Sequence, residues 1–475
     1  MQEPIVRITQ IEIKNFKNII HGNLSLENSR KDYKASIVGI YGQNGSGKTA
    51  VIESIDLLKY VLCGKSIPNE FADYINMEAN EATLSFTFKI MLDQQTQVVK
   101  YQFSIKGVQE TLNQNTVVGE NNKKKVVVFN EVLKCPILSN KQTKIGRLID
   151  TATAAAVLPD SKRRLLIGDS KDASTDLMVA KKFAQASSTS FIFSQMFLNL
   201  ISENKMRYIK NDSYSKEFDF YYAIINSLVQ FGNHNLFVIR TDPSGLICLD
   251  TQSFVFKLDG ALSQQVAIKL SLNDPVEVEE GVKEIVEKMM MNLNTVLTQI
   301  VPGLTVNIKD LGVVILPDGK KGNRIQLMSK RNNIELPLKY ESHGIKKIIS
   351  ILQLLIVVYN QPSATVAIDE LDSGVFEYLL GEIVRIISEK GKGQLIFTSH
   401  NLRPLETLDK GFVAFTTTNP NHRFIRLTNV KRNNNLRDFY YRDIMLGEQS
   451  EELYEHTHNS GIALAFREAG RFFGT

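Results

Sequence analysis

The chain has 475 residues, room for two to four domains of about 100–200 residues each, or for one large fold with an insertion. Hydrophobic residues make up 43% and charged residues 23%, a balance that excludes a mostly disordered chain. Lysine and arginine (56) exceed aspartate and glutamate (51) by only five, which neither demands nor excludes nucleic acid, so any basic surface must be local. Cys63, Cys135 and Cys248 stand far apart without a CxxC pair, which reads as a reducing, cytoplasmic setting. Glu3, Arg7 and Glu12 occupy the place where a signal peptide needs an apolar core. The most apolar helical stretch, 345–359, carries Lys346, Lys347, Ser350 and Gln353 and reads as too short and too polar to span a bilayer, so no membrane is expected.

In chain order, Val6 and Ile8, then Ile11 and Ile13, alternate as in a strand. An apolar run at 35–41 stops at Gly42, and a helical pattern opens at Thr49 and reaches Tyr60. Strands are expected at 82–91 and 98–105 as a hairpin, followed by a loop at 110–125 that contains Lys123, Lys124 and Lys125. Residues 145–235 read mainly as helices, and 236–272 return to strand-like alternation. Asp274-Pro275 resembles an N-cap with proline at the first helical position. The following helix places Val282, Val286, Met289, Leu293, Val296 and Ile300 at heptad spacing, either as a face packed on its own core or as a seam between subunits. Short strands fill 305–339, and then helix 345–359, strand 364–368, helix 375–389 and strand 394–398 alternate as in a parallel α/β sheet. This divides the chain into 1–144, a mainly helical insertion at 145–304 suited to oligomerisation or partner binding, and 305–475.

Four segments carry chemistry. Gly42, Gln43, Asn44, Gly45, Ser46, Gly47, Lys48 and Thr49 form a complete G-x-x-x-x-G-K-T loop between a strand and a helix. Its backbone N–H groups and the helix dipole suit phosphates, Lys48 reaches the β/γ-phosphates, and the Thr49 hydroxyl suits Mg2+. The apolar run 364–368 ends in Asp369, placed to hold Mg2+ through water, and Glu370, placed to activate a water, which implies hydrolysis. Ser342-His343-Gly344-Ile345-Lys346 precedes a helix, where freed N–H groups suit an anion. Lys346 and Lys347 there oppose the helix dipole, a conflict that a nearby anion would remove. That anion could be the γ-phosphate of a nucleotide on another subunit, while an ordinary serine cap is the plainer reading. Strand 394–398 ends at Ser399-His400, with His400 either a γ-phosphate sensor or a structural histidine.

In this order the motifs resemble the ABC-type ATPase heads of the SMC, Rad50, RecF and OLD group, whose first strand is similar to Ile11-Glu-Ile-Lys-Asn-Phe-Lys17. The resemblance covers about residues 1–110 and 305–430. It implies an α/β P-loop head with a mixed sheet and a β-meander subdomain, here carrying a largely helical insertion. By the same resemblance, Gly42–Thr49 is the Walker A motif, Ser342, Gly344 and Lys346 the signature, Asp369-Glu370 the Walker B and Asp372 the D-loop aspartate. His400 is the switch histidine, and Gln195 is the candidate Q-loop ligand to the metal. The signature departs from the usual Ser-Gly-Gly by a histidine. ATP and Mg2+ are the implied cofactors, and a homodimer of heads within a larger homo-oligomer is the implied assembly.

A compact head without a long coiled-coil arm looks most like the AAA15/AAA21 families, and among them the ATPase subunit of PARIS anti-phage systems. That likeness implies a sensor and scaffold that restrains a separate Toprim-like nuclease until a phage protein triggers release. The 75 residues after His400 are too few for a Toprim domain, and His456 and His458 read as a solvated tail more than a metal site. The alternative is a RecF-like repair ATPase that binds DNA directly, with Lys162-Arg163-Arg164, Lys320-Lys321-Arg324 and Lys330-Arg331 as candidate basic patches.

Overall fold

A computed structural model describes residues 4–27, 36–109, 124–137, 144–153, 156–157, 160–168, 171–210, 216–240, 251–257, 265–428, 435–447 and 449–471. Cys248 and most of the expected loop at 110–125 lie outside them, and Lys124 already opens a strand, Lys124–Ile137, paired with Gln95–Gln109.

The first layer is an antiparallel meander ordered Ile19–Ser25, Ile5–Phe16, Ala82–Leu92, Gln95–Gln109, Lys124–Ile137, Lys144–Asp150. A bulge between Ile8 and Gln10 resets the pleat, so Ile8 and Ile11 face the same core although three residues apart. The second sheet is ordered Phe424–Ile425, Val413–Thr416, Ser36–Tyr41, Gln394–Thr398, Thr365–Ile368, Leu236–Ile239. Its pairs are parallel except for the short edge strand Phe424–Ile425. Val38, Ile40, Ala367, Ile396 and Ala414 face one core, shared with helix Lys48–Leu62 and the meander. Ile37, Tyr41, Val366, Ile368 and Phe397 face a second core, shared with helices His343–Asn360 and Glu377–Lys390. Burial on both faces is why these strands read as unbroken apolar runs.

The described residues within 145–304 are divided between the two cores and do not form one helical insertion. Lys144–Asp150 is the meander's edge, and helices Asp160–Ile167, Lys171–Ala186, Gln195–Lys210 and Lys216–Gln230 contribute Leu166, Ala180, Phe197 and Ile224 to the first core. Leu236–Ile239 then joins the central sheet beside Thr365–Ile368, and Leu270 to Leu297 contribute to the second core. Asp274-Pro275 caps no helix. Val276–Glu279 is a strand paired with Lys321–Arg331, and helix Glu280–Ile300 starts after it. The heptad face packs inward, with Val286, Met289 and Leu293 buried in the second core. A third small sheet joins Val276–Glu279, Lys321–Arg331, Thr305–Ile315 and Ile334–Pro337.

Helix His343–Asn360 is, among the described residues, the one long and apolar enough to cross a membrane, which corrects its reading as too short and too polar. Its apolar residues, Ile349, Leu352 and Val358 among them, are buried in the second core, which accounts for its composition.

Candidate functional site

Strand Ser36–Tyr41 delivers the loop to the carboxyl edge of the central sheet, where open α/β sheets bind ligands. Gly47 has φ +91°, a left-handed conformation that suits glycine, and supplies no side-chain cap to helix Lys48–Leu62. The first-turn N–H groups are therefore free for an anion, and no acid stands in that turn. The Ser46 hydroxyl donates to the Gln43 carbonyl at 2.6 Å and meets Thr416 Oγ1 at 2.5 Å, bracing the loop against the neighbouring strand. Lys48 Nζ donates to the carbonyls of Gly42 and Gln43, both at 2.8 Å.

Burial pushes the Lys48 ammonium down to about 8, against the pull of Asp369, Asp372 and Glu370. Triphosphate favours the charged form, so above about pH 8 binding must return a proton to Lys48. The dissociation constant of ATP is expected to rise with pH there by up to about tenfold per unit. Isothermal titration between pH 7 and 9.5 checks this, and Lys48→Arg should flatten the slope.

The central strands run in register, Ile368 beside Phe397, so Asp369 stands next to Thr398. The Thr398 hydroxyl donates to Asp369 Oδ1 at 2.6 Å, and the Thr49 hydroxyl reaches the same oxygen at 3.3 Å. The Glu370 N–H donates to Thr398 Oγ1 at 2.8 Å. Asp369 Oδ2 is buried without a hydrogen-bond partner. A threonine hydroxyl beside an orphaned carboxylate oxygen is the hard-oxygen set that Mg2+ prefers, so these residues fit the ion. Glu370 is held at φ +47°, an uncommon conformation for a residue with a side chain. Asn44, Gly45, Ser46, Gly47, Lys48, Thr49, Glu370 and His400 line one cleft of about 380 Å3, the size of a small-ligand site. His400 titrates below the usual histidine range because of burial and then Lys48, so it is neutral at pH 7.

Lys17 and Asn18 also line the cleft, and sequence reasoning gave them no site role. Asn18 donates to the Gly45 carbonyl, and Lys17 pairs with Glu53 at 2.5 Å. The available signal was the polar cluster around Phe16, namely Asn15, Lys17 and Asn18, and in the structure Asn15 and Lys17 both take positive φ. The C-terminal segment reaches the loop too, with the Glu455 N–H donating to Gln43 Oε1 at 2.8 Å. His456 and His458 are exposed.

The signature residues lie outside this cleft. Ser342 is exposed and caps helix His343–Asn360 by accepting from the Ile345 N–H at 3.3 Å, so the serine cap is realised. Lys346 is buried, donating to the Lys339 carbonyl at 3.0 Å and to Asn273 Oδ1 at 3.3 Å. A Cβ on Gly344 would stand 2.3 Å from the Gly374 carbonyl, so the signature and the D-loop touch through backbone. Gly344→Ala is expected to cost about 1–3 kcal/mol, read as a lowered melting temperature, because neither backbone can retreat freely. Asp372 Oδ2 accepts from the N–H groups of His400 (3.1 Å) and Asn401 (2.9 Å), tying the D-loop to the end of strand Gln394–Thr398.

Gln195 is not brought to the metal-binding residues. It is exposed, opens helix Gln195–Lys210 and donates to Asn199 Oδ1 at 2.7 Å. Its neighbour Phe193 abuts Gly64, beyond the C-terminal end of helix Lys48–Leu62. At 1.5 Å per residue that end is about 20 Å from Thr49. The run Phe191-Ile-Phe-Ser ends in a helix start and not at the carboxyl edge of a central strand.

The family description "RecF/RecN/SMC N terminal domain" matches residues 7–422. Among solved structures, the Smc head domain of Pyrococcus furiosus, crystallised with the C-terminal domain of ScpA, is 12% identical with a TM-score of 0.39, covering 89% of this chain and 96% of that one. The SMC head domain from Thermotoga maritima is 12% identical with a TM-score of 0.34, covering 89% and 99%. An ATP complex of the recombination mediator RecF is 13% identical with a TM-score of 0.37, covering 89% and 100%. No curated protein matches.

Proposed function

Since the chain belongs to the RecF/RecN/SMC N-terminal domain family of ABC-type ATPase heads, we propose that it hydrolyses ATP with Mg2+ in a site that two copies complete. One observation carries this reading: Lys48, Thr49, Glu370 and His400 line one cleft, while Ser342 and Gly344 stand outside it on an exposed helix N-terminus. The loop amides and Lys48 bind the β- and γ-phosphates, and Thr49 and Asp369 would hold Mg2+, which supplies charge neutralisation when bound. Glu370 takes a proton from the attacking water as the bond between the γ-phosphorus and the bridging oxygen breaks, releasing ADP and phosphate. Ser342 and the free N–H groups of the signature helix face the γ-phosphate of the partner copy's nucleotide. Phosphate release by the purified wild type, absent in Lys48→Ala, tests the reading, and equal rates would defeat it.

Within that activity we propose a cytoplasmic sensor and scaffold of a bacterial anti-phage complex, assembled as a homo-oligomer, controlling a separate Toprim-like nuclease and released by a phage protein. Two observations support this over direct DNA binding. The heptad helix is used within its own core, as in a compact head without arms. Several cations of the candidate basic patches are matched by acids: Lys162 by Glu217, Arg163 by Asp160, Lys320 by Glu279 and Asp318, Arg331 by Glu341. Phage plating on bacteria carrying the native locus, wild type against Lys48→Ala, tests it. Protection lost in the variant supports defence. Protection in neither strain, together with DNA affinity that falls steeply with salt, supports repair.

A further inference from the structure

Residues 451–455 are strapped to the head. Glu451 meets His422 Nδ1 at 2.7 Å and accepts from the Asn419 side-chain amide at 3.0 Å. The Glu452 carbonyl accepts from the Thr418 N–H at 2.8 Å, and Leu453 is buried in the second core. The next hold is on the nucleotide loop itself, where the Glu455 N–H donates to Gln43 Oε1 at 2.8 Å. From Glu455 to Ala469 every residue is exposed. Asn459–Arg471 is nevertheless a helix, with Ile462, Ala465, Phe466 and Ala469 at the spacing of one face. Phe466 is 76% exposed. A helix of 13 residues is marginal in water on its own, so this one needs a surface for its apolar face.

The strap says where that surface is. Four steps of chain from Glu455 reach Asn459, at most about 14 Å, so the helix starts near the nucleotide loop. In the proposed shared site this loop meets the second copy's signature. Exposed aromatic residues flank the signature: Tyr340 stands two residues before Ser342, and Phe376, 71% exposed, two residues after Gly374, which touches Gly344. Tyr378 is exposed beside it. Aromatic anchors of this kind dominate association surfaces. The exposed Glu377 between Phe376 and Tyr378 complements the exposed Arg467 of the helix. A helix that lies on a membrane carries a basic polar face, whereas the cation Arg467 here is followed by the acid Glu468.

We propose that helix Asn459–Arg471 crosses to the second copy and packs Ile462 and Phe466 against that copy's Tyr340, Phe376 and Tyr378, clasping the two heads beside the shared site. The inference rests on the proposed two-copy reading and adds to it the contact that holds the copies together. By two-fold symmetry each pair carries the clasp twice.

The test is a double-mutant cycle on the full chain, read as the dimer dissociation constant by sedimentation with adenylyl imidodiphosphate and Mg2+. Phe466→Ser alters an exposed side chain, and Phe376→Ser places a favoured residue at the N-cap of helix Glu377–Lys390, so both variants should fold. Each single variant is expected to weaken association about tenfold or more, and the double variant no further than the weaker single, because both remove one contact. Affinity for the analogue in the isolated copy should stay within about twofold. Association within about twofold of wild type in either single variant overturns the inference, as does a double variant in which the two losses multiply. Binding of the wild type to phosphatidylcholine–phosphatidylglycerol vesicles, lost in Phe466→Ser while association is unchanged, would assign the helix to a lipid surface and overturn it as well. A wild type that stays monomeric with the analogue defeats the two-copy reading and the clasp together, whereas a wild type that associates while Phe466→Ser does so equally well defeats the clasp alone.

Discussion

Glu370→Gln should lower phosphate release by about 10^2 to 10^4 while ATP remains bound, because it removes the general base and leaves the phosphate cradle intact. The backbone of Glu370 is fixed twice, by its N–H on Thr398 Oγ1 and by its carbonyl accepting from the Ser373 N–H at 3.1 Å. The side chain therefore enters the cleft from a backbone set at φ +47°. Glutamine keeps that backbone and the side-chain length but does not take a proton from water. Equilibrium binding and single-turnover phosphate release separate the two effects. Loss of ATP binding in Glu370→Gln would mean that the residue helps to hold nucleotide.

Ser342→Ala should lower turnover by about 10^2 to 10^3, the usual cost of removing one donor aimed at developing phosphate charge. The Ser342 oxygen accepts from the Ile345 N–H, which leaves its own O–H free to donate outward. Loss of the cap adds about 1 kcal/mol of destabilisation, too little to unfold a chain of this size. ATP affinity of the isolated copy should not change, because Ser342 does not line that copy's cleft. A fall in affinity equal to the fall in rate would place the serine in its own chain's site.

The loop Gly42–Thr49 was legible because phosphate binding dictates glycine, lysine and a hydroxyl within eight consecutive residues. The pair Asp369-Glu370 was legible for a similar reason, as carboxylates ending a wholly apolar strand. Features assembled from distant segments were not. Thr398 acts on Asp369 and Glu370 only because two parallel strands lie in register. Leu236–Ile239 fell within the strand-like stretch 236–272, but its place in the central sheet depends on Thr365–Ile368, far along the chain. The bulge after Ile8 let the first strand break its alternation and still bury both halves. Gln195 misled because a short apolar run before a polar residue suits a strand end and a helix start equally. The conflict of Lys346 and Lys347 with the helix dipole was visible, but where each ammonium goes, Lys346 onto a carbonyl and an amide oxygen and Lys347 into burial without a hydrogen-bond partner, depends on packing.

The most direct test of a site shared by two copies is complementation. Glu370→Gln and Ser342→Ala chains, each inactive alone, are co-expressed with different tags, purified through both, and assayed for phosphate release. In a mixed pair, one of the two composite sites joins an intact Glu370 to an intact Ser342. The account predicts recovery to about half the wild-type rate in doubly purified pairs. A rate no higher than that of the two variants measured separately would contradict it.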